Sequence, residues 1–264
     1  MTAPDRPSQP GGSRGPTPGA TSGRMAASGS AAVPSSAAVP SSRATPSSTA
    51  EMESLYPFLY AGASDLDAVM EEVRASTVAK TAEIAALRRE VCARDAARLR
   101  ACAADMAGRL TAGGRLLTFG NGGSSTDAQE MATLFLHPGD GRRALPSFCL
   151  SNDIAVVTAL CNDIGVDVVF SRQVAAFGRP ADIAVALSTS GNSENLLRGL
   201  AEAGRRGMLT VGIAGYEGGK MAELEGLDYL FVAPSASVHR IQEAQTTIYH
   251  VLWELTLAAL GEGG

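Results

Sequence analysis

The sequence predicts an α/β protein: a five-stranded parallel sheet, doubly wound and flavodoxin-like, preceded by two N-terminal helices. Three observations carry this. Five short, largely apolar runs, 115–119, 147–150, 182–187, 208–213 and 228–232, alternate with helix-compatible segments. Apolar strands separated by helices form parallel sheets covered on both faces. Two of the runs end in loops of unusual composition, and in open α/β sheets ligands bind at the carboxyl ends of strands.

Residues 1–50 belong to another compositional class. They hold eight of the thirteen prolines of the chain and no Leu, Ile, Phe, Tyr or Trp, and AAVPSS occurs twice, at Ala31–Ser36 and Ala37–Ser42. Such a segment buries too little apolar surface to offset its ordering entropy and is expected to be a disordered tail. It carries four Arg and one Asp, against 18 basic and 26 acidic residues in the remainder. The sequence names no partner for it. The domain is expected over 51–264.

Leu55–Tyr60 is an apolar cluster suited to packing on a neighbouring surface. Ser64 then reads as an N-cap with acids behind it. Leu66, Met70, Val73, Thr77, Lys80, Ile84, Leu87 and Val91 follow at alternating four- and three-residue steps, one stripe of a long helix. Its length predicts helix-to-helix packing between subunits. A second helix is expected from about Asp95 to Thr111, ended by Gly113-Gly114. Further helices are expected near 127–136, 154–160, 168–177, 193–206 and 220–224, and a last one over 237–260.

The modest formal charge of −5 argues against a nucleic-acid partner read by bulk electrostatics. No apolar run approaches the roughly 18 residues that span a bilayer, and the first residues lack the basic-then-apolar order of a secretory signal. A cytoplasmic location is expected. Cys92, Cys102, Cys149 and Cys161 show no CxxC pairing and read as small hydrophobes of a reducing compartment.

The chemistry concentrates in the two loops. Leu116–Phe119 runs into Gly120-Asn-Gly-Gly-Ser-Ser125, and a helix follows. Such a strand–loop–helix presents free backbone N–H groups and the positive end of a helix dipole to an anion. The run 182–187 leads into Ser188-Thr-Ser-Gly-Asn-Ser193, where four hydroxyls in six residues suit the oxygens of a phosphate. Serine and threonine also favour ordinary capped loops, but two such loops in one sheet point to a small phosphorylated ligand. Neither GxxxxGK[ST] nor GxGxxG is present, which speaks against nucleotides.

Four motifs in this order, Phe119-Gly-Asn-Gly-Gly-Ser124, Asn162-Asp163-Ile-Gly165, Ser188-Thr-Ser-Gly-Asn-Ser193 and Arg240-Ile-Gln-Glu243, resemble the sugar isomerase (SIS) domain of the phosphoheptose isomerase family. The resemblance spans about Leu66 to Leu260. It implies that Ser188, Thr189, Ser190 and Ser193 hold a substrate phosphate, that Asn121, Ser124 and Asp163 hold sugar hydroxyls, and that Gln242 belongs to the site. It further implies aldose–ketose isomerisation of a sugar phosphate such as sedoheptulose 7-phosphate through an enediol, a homotetramer, and zinc as a metal found in family members. In the family a glutamate on the helix after the glycine loop and a histidine on the last helix move the protons.

The sequence departs from that pattern at one place. The family's His-x-x-x-Glu falls on Glu130 and Leu134, and leucine cannot move a proton. His250 is retained, eight residues after Gln242; Gln245 stands where another histidine is frequent. Glu130 becomes the candidate base, one turn earlier on the same helix face, with His250 as its partner. Glu130, Gln242 and His250 are also the donors left for zinc. The alternative is a non-catalytic SIS protein that senses a sugar phosphate or binds another protein, for which Leu134 is the argument. Tyr249 and Trp253 read as core or subunit contacts, and His137 and His239 as residues without an implied role.

Overall fold

The strands of the sheet lie in the order β2-β1-β3-β4-β5 and every neighbouring pair is parallel. The computed structural model describes residues 66–262 except Asp140, all within the unit Ala63–Gly264. The proposed tail, Leu55–Tyr60 and the Ser64 cap lie outside the described residues. The strands are β1 (Leu116–Gly120), β2 (Ser147–Cys149), β3 (Ile183–Leu187), β4 (Leu209–Gly215) and β5 (Tyr229–Ala233). Each falls within two residues of its expected position. The helices are α1 (Leu66–Thr111), α2 (Gly123–Leu136), α3 (Ile154–Asp163), α4 (Val169–Phe177), α5 (Glu194–Arg205) and α6 (Val238–Ala259). Two 3-10 turns, Val166–Val168 and Gly219–Glu223, complete the element order.

The expected pair of N-terminal helices is one helix of 46 residues. No glycine or proline lies between 66 and 107 to break it. Asp95, expected to open a second helix, sits mid-helix and 2% exposed. It is held there by Arg94 (2.6 Å) and Arg98 (3.6 Å). The apolar stripe divides in two: Leu87 and Val91 are buried, whereas Met70 and Val73 are exposed.

Strand residues alternate between two core layers, as the period of two requires. Leu116, Ile183, Val185, Leu187, Val211 and Ile213 face α1, α2 and α6. Leu117, Phe119, Ala184, Ala186 and Ala214 face α4 and α5. All five residues of β1 and of β3 are buried. Their starts are tied together by Asp182, whose carboxylate accepts from the Arg115 guanidinium (2.6 Å), the Arg115 N–H (2.8 Å) and the Arg179 N–H (3.1 Å).

Asp182→Ala removes the acceptor of all three donors in a buried setting. The expected loss is about 3 kcal/mol of unfolding free energy, read as a fall in the urea midpoint at unchanged m-value.

Candidate functional site

The hydroxyl loop leaves β3 at Ser188 and enters α5 at Glu194. Its shape is fixed by hydrogen bonds that use oxygen lone pairs. Ser188 Oγ accepts from the Gly191 N–H (2.9 Å) and Ser190 Oγ from the Asn192 N–H (3.2 Å). A hydroxyl that accepts in this way still has its own proton to give. Ser193 occupies the N-cap position of α5 without making a side-chain cap bond. The first turn of α5 adds N–H donors and the positive end of its dipole.

Glycine at position 191 is required twice over. Its φ is 68°, and a Cβ there would collide with the Gly218 carbonyl. The loop after β4 thus clamps the hydroxyl loop, with further bonds from the Met221 N–H to Gly191 O and from the Lys220 N–H to Asn192 Oδ1 (both 2.9 Å). Between these loops and the end of β5 opens a cavity of about 760 Å³, lined by Ser190, Asn192, Tyr216, Glu217, Gly219 and Pro234.

The glycine loop lies one strand over. Asn121 and Asn195 exchange two amide hydrogen bonds (2.9 and 3.0 Å), joining this loop to the start of α5. Helix α2 begins at Gly123, four residues before its expected start, so the loop is itself the helix N-terminus. Ser124 is buried there, 4% exposed. Helix α6 packs alongside: the Gln242 amide approaches Gly123 so closely that a Cβ would collide with it. Two turns on, the same pair of helices brings Glu130 to His250, Oε1 to Nε2 at 3.4 Å, and the Tyr249 hydroxyl donates to Glu130 Oε2 at 2.8 Å. Leu134, one turn further, packs against the core.

The electrostatics of α2 set two carboxylates apart. Burial, with the Glu130 charge one turn away, pushes the Asp127 carboxyl up to about 6. Its Oδ2 is buried without a hydrogen-bond partner. Glu130 is by contrast half exposed and doubly partnered. Among the described residues no group of three His, Cys, Asp or Glu could hold a metal ion; Leu134 offers no donor, and Glu130 Oε2 is taken by a phenol.

The sequence pattern of the SIS domain matches residues 81–215. A phosphoheptose isomerase of Pelodictyon phaeoclathratiforme is 41% identical over 194 residues, covering 72% of this chain and 90% of that protein. One from Aquifex aeolicus is 45% identical over 147 residues, 55% of this chain and 76% of the relative. The chain belongs to the phosphoheptose isomerase family of SIS domain proteins. The solved structure of the phosphoheptose isomerase of Neisseria gonorrhoeae superposes with a TM-score of 0.63 at 33% identity, over 70% of this chain and 99% of that one. That from Francisella tularensis gives 0.60 at 32%, over 73% and 98%.

Against this family membership the individual residues sort as follows. Ser188, Thr189, Ser190 and Ser193 share the loop at the end of β3, and Asn121, Ser124, Gln242, Glu130 and His250 gather along α2 and α6. Asp163 stands apart: it ends α3, is exposed, and accepts from the Asn162 amide (2.8 Å). The sequence reading missed Asp127 and the polar role of Tyr249. Asp127 carried a signal, an acid one turn before Glu130 on the same face. Tyr249 is the core residue that was expected, 0% exposed, but its hydroxyl leaves the core. Gln245, standing in place of a histidine, is fully buried and donates to Ser188 O (2.8 Å) and Ile213 O (3.2 Å).

The raised carboxyl of Asp127 gives a pH-dependent stability. In the unfolded chain it titrates near 3.8 and in the folded chain near 6. The folded state therefore prefers the protonated form, and stability is lost as pH rises from about 4 through about 6. Asp127→Asn is expected to match the parent below pH 4 and to melt higher than it above pH 6, by an amount that solvent screening holds to about 1 kcal/mol. Thermal melts at pH 4 and pH 7.5 check it; equal differences at both would sink the assignment.

Proposed function

We propose that this protein is an aldose–ketose isomerase acting on a phosphorylated sugar, with sedoheptulose 7-phosphate as its substrate. The observation that carries the reading is the pairing of Glu130 with His250 beside a glycine loop, on the same sheet edge as a hydroxyl loop whose protons are free to donate. Family membership and the names of the relatives support it.

The phosphate is held by Ser188, Thr189, Ser190, Ser193 and the N-terminus of α5. Asn121, Ser124 and Gln242 serve the sugar hydroxyls. Isomerisation then moves one proton between neighbouring carbons and exchanges protons at two oxygens. Glu130 removes a proton from C1 of the ketose, and the C–H electrons form the C1=C2 bond of an enediol while the C2 oxygen takes a proton from His250. Glu130 returns its proton to C2, His250 recovers one from the C1 hydroxyl, and the C1 carbonyl forms. Leu134 has no part in this.

The exposed apolar residues Val69, Met70, Val73 and Val78 of α1, with Ile154 of α3, support assembly with further copies as a homotetramer. No helix among the described residues is long and apolar enough to cross a membrane. We place the protein in the cytoplasm.

Incubation with sedoheptulose 7-phosphate in deuterated water is expected to give the aldose with deuterium at C2. Glu130→Gln should lower kcat at least about 100-fold. Absent exchange, with a sugar phosphate that still raises the melting temperature, would instead establish the non-catalytic binding reading. Ser190→Asp sets a carboxylate against the phosphate. It is expected to abolish the ligand-induced rise in melting temperature under either reading, and a retained rise would move the phosphate elsewhere.

A further inference from the structure

We propose that Tyr249 is a positioning residue of the proton-transfer site: its phenol fixes the Glu130 carboxylate through Oε2, so that Oε1, beside His250, is the oxygen that takes the carbon-bound proton. The inference rests on the isomerase reading above and names how its base is held.

Packing alone does not explain a tyrosine here. The side chain is completely buried in the core shared by α1, α2 and α6, where phenylalanine would fill nearly the same space. The hydroxyl adds a directed bond of 2.8 Å to a carboxylate on a neighbouring helix. Burial keeps the phenol protonated, with the Thr246 hydroxyl opposing and the Glu130 carboxylate reinforcing that effect. Tyr249 therefore remains a donor across the working pH range.

Glu130 needs such a donor. Its side chain is half exposed and has three rotatable bonds, so unaided it would spread over several rotamers. A donor set in a rigid core selects one rotamer and one oxygen. The ring of Tyr249 also stacks on His250, with centroids 5.2 Å apart and planes 28° from parallel, and Trp253 meets the imidazole edge-on at 6.3 Å. One tyrosine thus touches both members of the proton-transfer pair. From α2, Asp127 and Glu130 are the charged groups that act on it; from α6, His250 is the titratable neighbour.

In the reaction the division of oxygens is simple. Oε2 keeps the phenolic hydrogen bond throughout. Oε1 accepts the proton from C1 as the enediol forms and gives it back at C2. With Oε2 engaged by the phenol, Oε1 beside His250 is the oxygen left to accept the proton and to return it.

The test is Tyr249→Phe. Hydrogen bonds to charged groups are worth about 10- to 100-fold in rate, so kcat should fall by about that factor while KM stays within about two-fold. In a Glu130→Asp background, where the shortened side chain no longer reaches the phenol, Tyr249→Phe should cost less than about two-fold. The substrate-free protein supplies a separate readout: the infrared carboxylate stretch of Glu130, isolated as the difference between parent and Glu130→Gln, should shift on Tyr249→Phe. An unmoved band overturns the inference by itself. So does a full loss of rate in the Glu130→Asp background, or a KM that rises while kcat holds. A parent that turns over no sugar phosphate overturns the isomerase reading and the catalytic half of this inference together, whatever the band does.

Discussion

The geometry of the site hangs on one buried amide. Gln245 lies on α6 and donates to the carbonyls of Ser188, just past the end of β3, and of Ile213, within β4. A strand end leaves backbone acceptors without ladder partners, and burial makes such acceptors costly. The amide gives the Ser188 carbonyl a partner and adds a second donor to Ile213 O, which already accepts from the Ser188 N–H (2.9 Å), and in doing so sets the height of α6 against the sheet. Three residues before it, Gln242 meets the glycine loop; four and five residues after it, Tyr249 and His250 meet Glu130. A shift of α6 by one turn would take Tyr249 and His250 away from Glu130 and Gln242 away from the glycine loop. A histidine has a shorter reach than a glutamine and one ring nitrogen to donate when neutral, so the glutamine commits this position to structure.

On the opposing helix the arrangement is of two acids with divergent tasks. Asp127 and Glu130 lie one turn apart, near the glycine loop. The buried one is pushed towards its neutral form by burial and by its neighbour, and the half-exposed one is partnered by Tyr249 and His250.

The sheet was legible because its strands are short, apolar and separated by clear helical segments; all five appear within two residues of their expected positions. The hydroxyl loop was legible because four hydroxyls beside a glycine have few structural uses. The join of the first helix was not. Asp95 looks like a helix start in one dimension, and it is the tertiary placement of Arg94 and Arg98 that lets an acid sit buried in mid-helix. The early start of α2 was hidden for a related reason: glycines at 122 and 123 suggest a loop, yet Gly123 is helical, and glycine stands there because Gln242 occupies the space a side chain would need. Tyr249 was half legible. Its place on the apolar face predicts burial, but nothing in the sequence says which way a buried phenol points.

The departure at Glu130 and Leu134 joins in space with Tyr249. Leu134 fills the core where the family resemblance places a glutamate, Glu130 carries the carboxylate one turn earlier, and Tyr249 supplies a donor to it from α6. Moving a base by one turn shifts it by about 5.4 Å along a helix axis, enough to lose its former partners. A carboxylate so displaced functions only if it is held again, and the phenol of Tyr249 and the imidazole of His250 are the groups within reach. The loss at Leu134 is therefore not evidence against turnover when taken alone. The relevant unit is the pair of helices, and across that pair a carboxylate, its hydrogen-bond donor and its histidine are all present.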